Sequence, residues 1–358
     1  MSDNMPGDPK GRPGIKAVAA LAGVGIASVS RVLSGQPGSS PQLTQRVLDA
    51  ARALGYTPNA VAQGLRRKTT RSIGFVGSDI NNPLIASIVG GAESVLSVAG
   101  FSVLLTNSGG VPSVDAERIE LLMQRQVDGF IVLPALEDDP ATLAALRAAK
   151  APIALIDRTL PADIPAHYVL SDHRQGVGDA GRYLLENGHR RIGLVVGRDV
   201  RPTRERIRAM ESAFDAFGVK RDLIVHRGTL SPEHGKAALD EMLAAKRPPS
   251  AIVLGGNQLL EGALESVHRL GLQLGTDLSL VSCDDVPLSR FHQPAIATVM
   301  RDASLLGVRA AQILLAHLET PGEPETVTLP TWFEPRPSCG AIRTTARSAR
   351  RLSREDAA

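Results

Sequence analysis

Apolar positions follow two different rhythms along this chain, and the change between them divides it. From Ile15 to Ser34 (IKAVAALAGVGIASVSRVLS) the spacing is helical. Val18, Leu21 and Ala22 repeat at i, i+3, i+4, and after Gly23-Val24-Gly25 so do Val29, Val32 and Leu33. This predicts two short amphipathic helices joined by a tight glycine turn, with Ala27, Ser28, Ser30 and Arg31 on the outer face of the second. That face suits a nucleic-acid groove: small side chains let a helix settle deeply, hydroxyls reach phosphates, and a guanidinium can grip guanine O6 and N7. The pattern is that of a helix-turn-helix, although pairs of short alanine-rich helices also occur in folds that never touch DNA. Gly23-x-Gly25-x-x-Ser28 approaches the glycine fingerprint of dinucleotide-binding turns, but lacks the hydrophobic strand that should precede it. Ser40-Pro41 opens a third helix, with Ser as N-cap and Pro at the first helical position. Val47, Leu48, Ala51 and Leu54 form its apolar face and Gly55 ends it. The next segment, Pro58 to Leu65, is helix-capable but too short to stand alone. Followed by Arg66-Arg67-Lys68, it reads as a hinge that orders on docking.

From Ser72 the rhythm changes to strand, helix, strand with short connections. Continuous apolar runs at Ile73 to Val76, Val103 to Leu105, Phe130 to Leu133 and Ile153 to Ile156 predict parallel strands buried on both faces. Helices are expected between them near 83–99, 113–125 and 139–150. A second set of strands follows at Ile192 to Val196, Leu223 to Val225, Ala251 to Leu254 and Leu278 to Ser282, with helices near 174–187, 203–217, 232–246 and 258–270. Two such halves predict an α/β body of two doubly wound parallel-sheet lobes behind an all-α helix-turn-helix head. A last helix, Ala303 to His317, and the strands flanking it are expected to cross back between lobes and leave a cleft.

The chain has 358 residues, room for two or three domains at ~150 residues each. Its net charge is only +3, but the distribution is uneven. Residues 1–71 carry ten Lys/Arg against three acids, and the remainder 30 against 34, so a basic head of +7 precedes a body of −4. That asymmetry suits a polyanion-binding module on a body that does not bind the polyanion. No apolar run approaches a membrane span and the N-terminus has no signal-like apolar region, so a cytoplasmic protein is expected. Cys283 and Cys339 are too few for a disulfide scaffold and lack a metal-binding neighbourhood. His173, His189, His234 and His292 are scattered without metal-ligand spacing or a nucleophile elbow, which argues against an enzyme, and no cofactor is expected.

These segments together resemble the LacI/GalR family of transcriptional regulators. The resemblance runs from Ile15 to about Arg336 and is carried by IKAVAALAGVGIASVSRVLSG, RVLDAARALGYTPNAVAQGL, RSIGFVGSDINNPLIASIVGGAE, VDGFIVLP, PIALIDR, LLENGHRRIGLVVG, RERIRAMESAF and LSLVSCDDVPLSRFHQPAIATVM. It implies a homodimer on a palindromic operator and lobes of the periplasmic-binding-protein type. A small effector, a sugar or other metabolite, in the cleft would shift DNA affinity. Implied domains are an arm at 1–14, the DNA-binding head at 15–58, a hinge at 59–71, the effector-binding and dimerisation body at 72–345 and a disordered basic tail at 346–358. Within the body, one lobe takes about 72–170 and 302–328, the other about 171–297 and 329–345. The tail, Arg343 to Ala358, has five arginines and no leucine heptad, so a dimer is the default.

Position by position, Ile26 and Ala27 match the base-reading start of the recognition helix, and Arg31 a further base or phosphate contact. Ser28 and Ser30 match phosphate-binding hydroxyls, Lys16, Arg46 and Asn59 add DNA contacts, and Leu65 matches a hinge leucine that wedges into the minor groove. In the cleft, Arg206, Asp284 and Asp157 match polar effector contacts, at strand ends and helix starts where open α/β sheets bind ligands. Departures gather here: Leu84 and Ile85 replace frequent aromatics, Leu230 an aromatic that often stacks on ligand, Gly256-Asn257 the common Asn-Asp, and Cys283 a common Tyr. With aromatics at 3%, a stacked pyranose has few partners; a smaller or more apolar effector, or a disused cleft, stays open beside it. The implied mechanism couples cleft closure to hinge ordering, with couplings of ~1 to 3 kcal/mol. The sign, inducer or corepressor, stays open, as does a cytoplasmic ligand-binding protein as the alternative function.

Overall fold

The structure, a computed structural model, describes residues 13–33, 38–56 and 69–342. The chain divides into two compact units between Arg71 and Ser72.

The first unit holds α1 (Ile15–Ala22), α2 (Ile26–Leu33) and α3 (Pro41–Ala53). Gly23 stops α1 in the left-handed region at φ 63°, a conformation glycine adopts without penalty, and its N–H donates back to Ala19 and Ala20 carbonyls. The axes of α1 and α2 are bent by 104° at this turn, within the range of a helix-turn-helix pair. Ser40 caps α3, its Oγ accepting from Leu43 N–H at 3.2 Å. Val18, Ala19, Ala22, Val29, Val32, Val47, Ala50 and Ala51 form the core. Two expectations need correcting: Leu21 is 56% exposed and Leu48 39%. Small alanines, Ala19 and Ala50, take the inward places instead, because they let three short helices approach closely; each leucine lies two residues away, about 200° around its helix.

The second unit opens with β1 (Ser72–Gly77), α4 (Pro83–Leu96), β2 (Ser102–Asn107), α5 (Pro112–Gln124), β3 (Gly129–Val132), α6 (Pro140–Ala148), β4 (Ile153–Ile156) and β5 (His167–Ser171). It continues with α7 (His173–Glu186), β6 (Ile192–Val196), α8 (Arg201–Phe217), β7 (Leu223–Arg227), α9 (Pro232–Ala244), β8 (Ala251–Leu254), α10 (Leu260–Arg269) and β9 (Ser279–Cys283). The last elements are α11 (Pro287–Phe291), β10 (Ala297–Arg301), α12 (Ala303–Glu319), β11 (Thr326–Leu329) and β12 (Thr331–Glu334). One six-stranded sheet has the order β11-β5-β4-β3-β1-β2 and is parallel throughout; the other runs β12-β10-β9-β8-β6-β7, with only β12 antiparallel. The chain therefore passes between lobes three times, after β5, after β10 and after β11. Two of these passages begin a helix under an aspartate cap: Asp172 accepts from Arg174 N–H at 3.1 Å, and Asp302 from Leu305 N–H at 2.8 Å.

The strands β1, β3, β4, β6, β8 and β9 are buried along their whole length, as their apolar runs predict. The run Val103 to Leu105 is a correction. It lies in β2 at a sheet edge, with Leu104 and Leu105 both exposed, because an edge strand is covered less fully than a central one. β5 was not separately expected. In the first lobe α4 and α12 touch backbone to backbone: a Cβ on Gly307 would stand 1.9 Å from the Ile88 carbonyl oxygen, and one on Gly91 2.0 Å from that of Ser304. Among the described residues no single helix is long and apolar enough to cross a membrane.

Candidate functional site

In the first unit, the outer face of α2 carries the residues expected to read DNA. Ile26, Ala27 and Arg31 are exposed and Ser28 and Ser30 half-buried, while Lys16 on α1 and Arg46 on α3 are exposed. Val29 and Val32 point the other way, into the core. Asn59 and Leu65 lie outside the described residues.

In the second unit the polar residues gather where the carboxyl ends of the strands of both lobes converge. Asp157 follows β4 and Asp284 follows β9; both are non-glycine residues with left-handed backbone, φ 52° and 69°. Such conformations cost of order 1–3 kcal/mol each and concentrate at functional sites. Asp157 is 3% exposed. Its carboxylate accepts from Ser171 N–H at 2.6 Å and Ser171 Oγ at 3.1 Å and is ion-paired with Arg301 Nη1, with His173 Nε2 at 3.4 Å. Asp284 accepts two bonds from Arg301, Nε to Oδ1 at 2.6 Å and Nη2 to Oδ2 at 3.2 Å. Burial alone would raise both carboxyls. His173 and Arg301 hold Asp157 well below the usual range, and Arg301 lowers Asp284. His173 is itself pushed down to about 4, by burial first and by Arg206 next, and so is neutral at pH 7.

Arg206, on α8, is 4% exposed. Its Nε is buried without a hydrogen-bond partner, while its charge acts on the buried Asp284 carboxylate and its guanidinium hydrogen-bonds the Cys283 thiol. His173 Nε2 is a second buried nitrogen without hydrogen-bond geometry. Burial raises the Cys283 thiol against the nearby pull of Arg206.

Direct contacts tie the lobes across the cleft. Glu137, after β3, accepts from Arg201 N–H at 3.1 Å and Arg204 Nη2 at 2.6 Å, at the first turn of α8, and also from Thr159 N–H at 3.0 Å. Asn257 donates its amide to Asn82 Oδ1 at 2.9 Å, Gln258 donates to Asp79 at 2.9 Å, and Arg198 donates to the Gly110 carbonyl at 2.5 Å.

The expected apolar wall divides. Leu84 and Leu230 are half-buried, but Ile85 is only 3% exposed and belongs to the first lobe's core, packed toward Gly77. As it stands Ile85 is a packing residue, which corrects its reading as part of the ligand wall. Leu230 explains a departure from the family pattern. Its side chain lies where a Cβ on Gly256 or Gly197 would come within 3.1 or 3.0 Å, so glycine at both positions makes room for it. Asp157 has a structural part as well: its oxygens bind Ser171 and Arg301, so it braces the crossing strands. Residues missed from sequence are Glu137, Arg301 and the role of His173. Arg301 and His173 each begin a lobe crossing, which was the available signal.

Residues 14–59 match the family described as bacterial regulatory proteins, lacI family, and residues 182–339 match the periplasmic binding protein-like domain. The HTH-type transcriptional repressor PurR of Pectobacterium carotovorum subsp. carotovorum (strain PC1) is 31% identical over 312 residues, 86% of this chain and 91% of that one. The lac repressor dimer bound to operator and the anti-inducer ONPF shares the fold at a TM-score of 0.80 and 25% identity, covering 93% of this chain and 100% of that one. The complex of the transcriptional regulator CelR with cellobiose gives 0.68 at 30% identity, covering 91% and 100%. A helix-turn-helix head and a two-lobed α/β body with these relatives define a DNA-binding transcriptional regulator that responds to an effector. The chain belongs to the LacI family.

Proposed function

We propose that this regulator acts in the cytoplasm as a homodimeric repressor on a palindromic operator, with no catalytic activity of its own. In this reading Ile26, Ala27 and Arg31 meet base edges, Ser28, Ser30, Lys16 and Arg46 meet the backbone, and Asn59 and Leu65 act at the operator centre. The observation that carries it is the exposed outer face of α2, small at Ala27 and cationic at Arg31, turned outward by the 104° bend while Val29 and Val32 hold the core. A helix of that shape is what a major groove admits. The effector reading rests on the cleft, where Arg206 and Asp284 stand beside three chain crossings that let lobe orientation change. A ligand acts there only through its different affinity for two lobe orientations. Selection of the full chain against random DNA duplexes tests the proposal. Enrichment of an inverted repeat, lost in Arg31→Ala, is expected; recovery of no common sequence would overturn it.

A further inference from the structure

β11 carries the chain into its last passage between the lobes, and it is an exposed edge strand with one neighbour, β5. Its first end is tied down through the backbone of a single residue. The Glu325 carbonyl accepts from Tyr168 N–H at 2.8 Å, and Glu325 N–H donates to ring nitrogen Nδ1 of His167 at 3.0 Å. The other ring nitrogen of His167, Nε2, stands 3.2 Å from Nδ1 of His317 in the last turn of α12, with the two rings edge to face and 4.8 Å apart. His167 is 5% exposed and His317 half-buried.

These contacts fix where the protons are. Nδ1 of His167 accepts a hydrogen bond, so the neutral ring carries its proton on Nε2 and donates it to Nδ1 of His317; neutral His317 then carries its own on Nε2. The cluster has no place for one more proton. On His317 Nδ1 it would face the His167 N–H, and on His167 Nδ1 it would face the Glu325 N–H. Either way two donors meet at hydrogen-bond distance. The same assignment argues against a metal ion between the rings, because a ligated Nε2 would leave neutral His167 with its proton on the nitrogen that Glu325 N–H occupies. Among the described residues no three His, Cys, Asp or Glu side chains are placed to hold a metal ion.

Charge reaches His167 from two elements, His317 on α12 and Glu325 on the loop before β11, while β4, its neighbour in the sheet, brings Ala154. Burial first and His317 next push His167 below the ordinary 6.5, against the smaller opposing pull of the Glu325 carboxylate. The released ring therefore takes a proton that the held ring refuses. The contact is fully present above pH 6.5 and is lost as the pH falls below it.

We infer that His167 and His317 form a proton-operated latch on the third lobe crossing, which holds the start of β11 while both rings are neutral and frees it when one proton enters the pair. Acid thereby reaches a crossing on which lobe orientation depends, by a route separate from any ligand in the cleft.

Hydrogen exchange of the full chain, followed by mass spectrometry between about pH 7.5 and about pH 5.5, tests the latch. Intrinsic amide exchange slows with acidification over this range, so residues 323–329 are compared with β8 as an internal reference. His173, at about 4, stays neutral throughout. Relative to β8, residues 323–329 are expected to exchange about fivefold faster at the lower pH, the worth of one hydrogen bond; a ratio that does not change with pH overturns the latch. His167→Gln keeps an acceptor for Glu325 N–H and cannot titrate, so its ratio should stay flat. The same rise in that variant assigns the effect to another group and overturns the latch as well. If His167→Gln does not fold, His317→Gln decides: it keeps an acceptor for His167 Nε2–H and removes the second ring with its like charge. The rise should then persist with its midpoint moved to higher pH, and an unmoved midpoint overturns the pair as the sensor.

Discussion

Arg301 holds Asp284 of its own lobe through two hydrogen bonds, 2.6 and 3.2 Å long, and turns its remaining edge to Asp157 of the other lobe. Its own side chain is 9% exposed and theirs are 8% and 4%. One guanidinium therefore bridges two buried carboxylates at the point where β10 leaves one lobe for α12 in the other. Removing it strands two buried negative charges, a loss of ~3–5 kcal/mol for a pair broken from one side. Arg301→Gln is expected to lower stability by that order in urea denaturation, and a midpoint equal to wild type would show the cluster to be idle.

His173 makes the stability of the body depend on pH. Its ordinary value is 6.5 and the fold lowers it to about 4, so between those values the unfolded chain binds a proton that the folded chain does not. Stability therefore rises with pH across that window and falls as the solution is acidified, by about 1.4 kcal/mol for each pH unit per group. Asp157 and Asp284, both depressed, add a loss that begins as the pH falls through the ordinary carboxylate value of 3.8 and is complete only below their depressed values. Thermal unfolding between pH 7 and about 4 should show the His173 slope, and His173→Gln should flatten it; an unchanged slope in the variant assigns it to other groups.

The contact of α4 with α12 gives a steric prediction. A methyl group on Gly307 would meet the Ile88 carbonyl oxygen at 1.9 Å, and both neighbours are helix backbone that cannot turn aside. Gly307→Ala should cost ~1–3 kcal/mol or more through forced separation of the helices, whereas alanine normally helps a helix interior. Differential scanning calorimetry reads the sign directly.

Much of this architecture is legible along the chain. Gly23, Ser40-Pro41 and the apolar runs from Ile73 onward act through local rules: a left-handed stop, a side-chain cap, and strands buried on both faces. What is not legible depends on distance. Arg301 finds its partners 17 and 144 residues away, and no spacing rule connects them. Likewise, a run such as Val103 to Leu105 does not show whether its strand lies in the middle of a sheet or at its edge, since order in a sheet is set by the crossovers. Leu48 against Ala50 was a question of packing space, which hydrophobicity alone ranks the wrong way. Glu137 sits in a loop with no motif around it, and its place at the first turn of α8 exists only once the lobes have come together.

That placement predicts a local effect. Glu137 bonds the Arg201 amide and the Arg204 guanidinium from the opposite lobe, so Glu137→Ala should leave the first turn of α8 without its cap and loosen lobe closure. Hydrogen exchange over residues 198–204 is expected to speed up while that over β8 stays as in wild type. Equal protection in both proteins would mean that the tie contributes nothing to the closed form.

The central claim is that α2 reads a specific DNA sequence. The most direct measurement is a fluorescence anisotropy titration of the full chain against the selected inverted repeat and against a shuffled duplex of the same length and composition, at one salt concentration. The selected duplex is expected to bind about a thousandfold tighter or more; Arg31→Ala should remove most of that difference and leave the weak, salt-sensitive binding to the shuffled duplex. Equal affinity for the two duplexes in the wild-type chain would contradict the account.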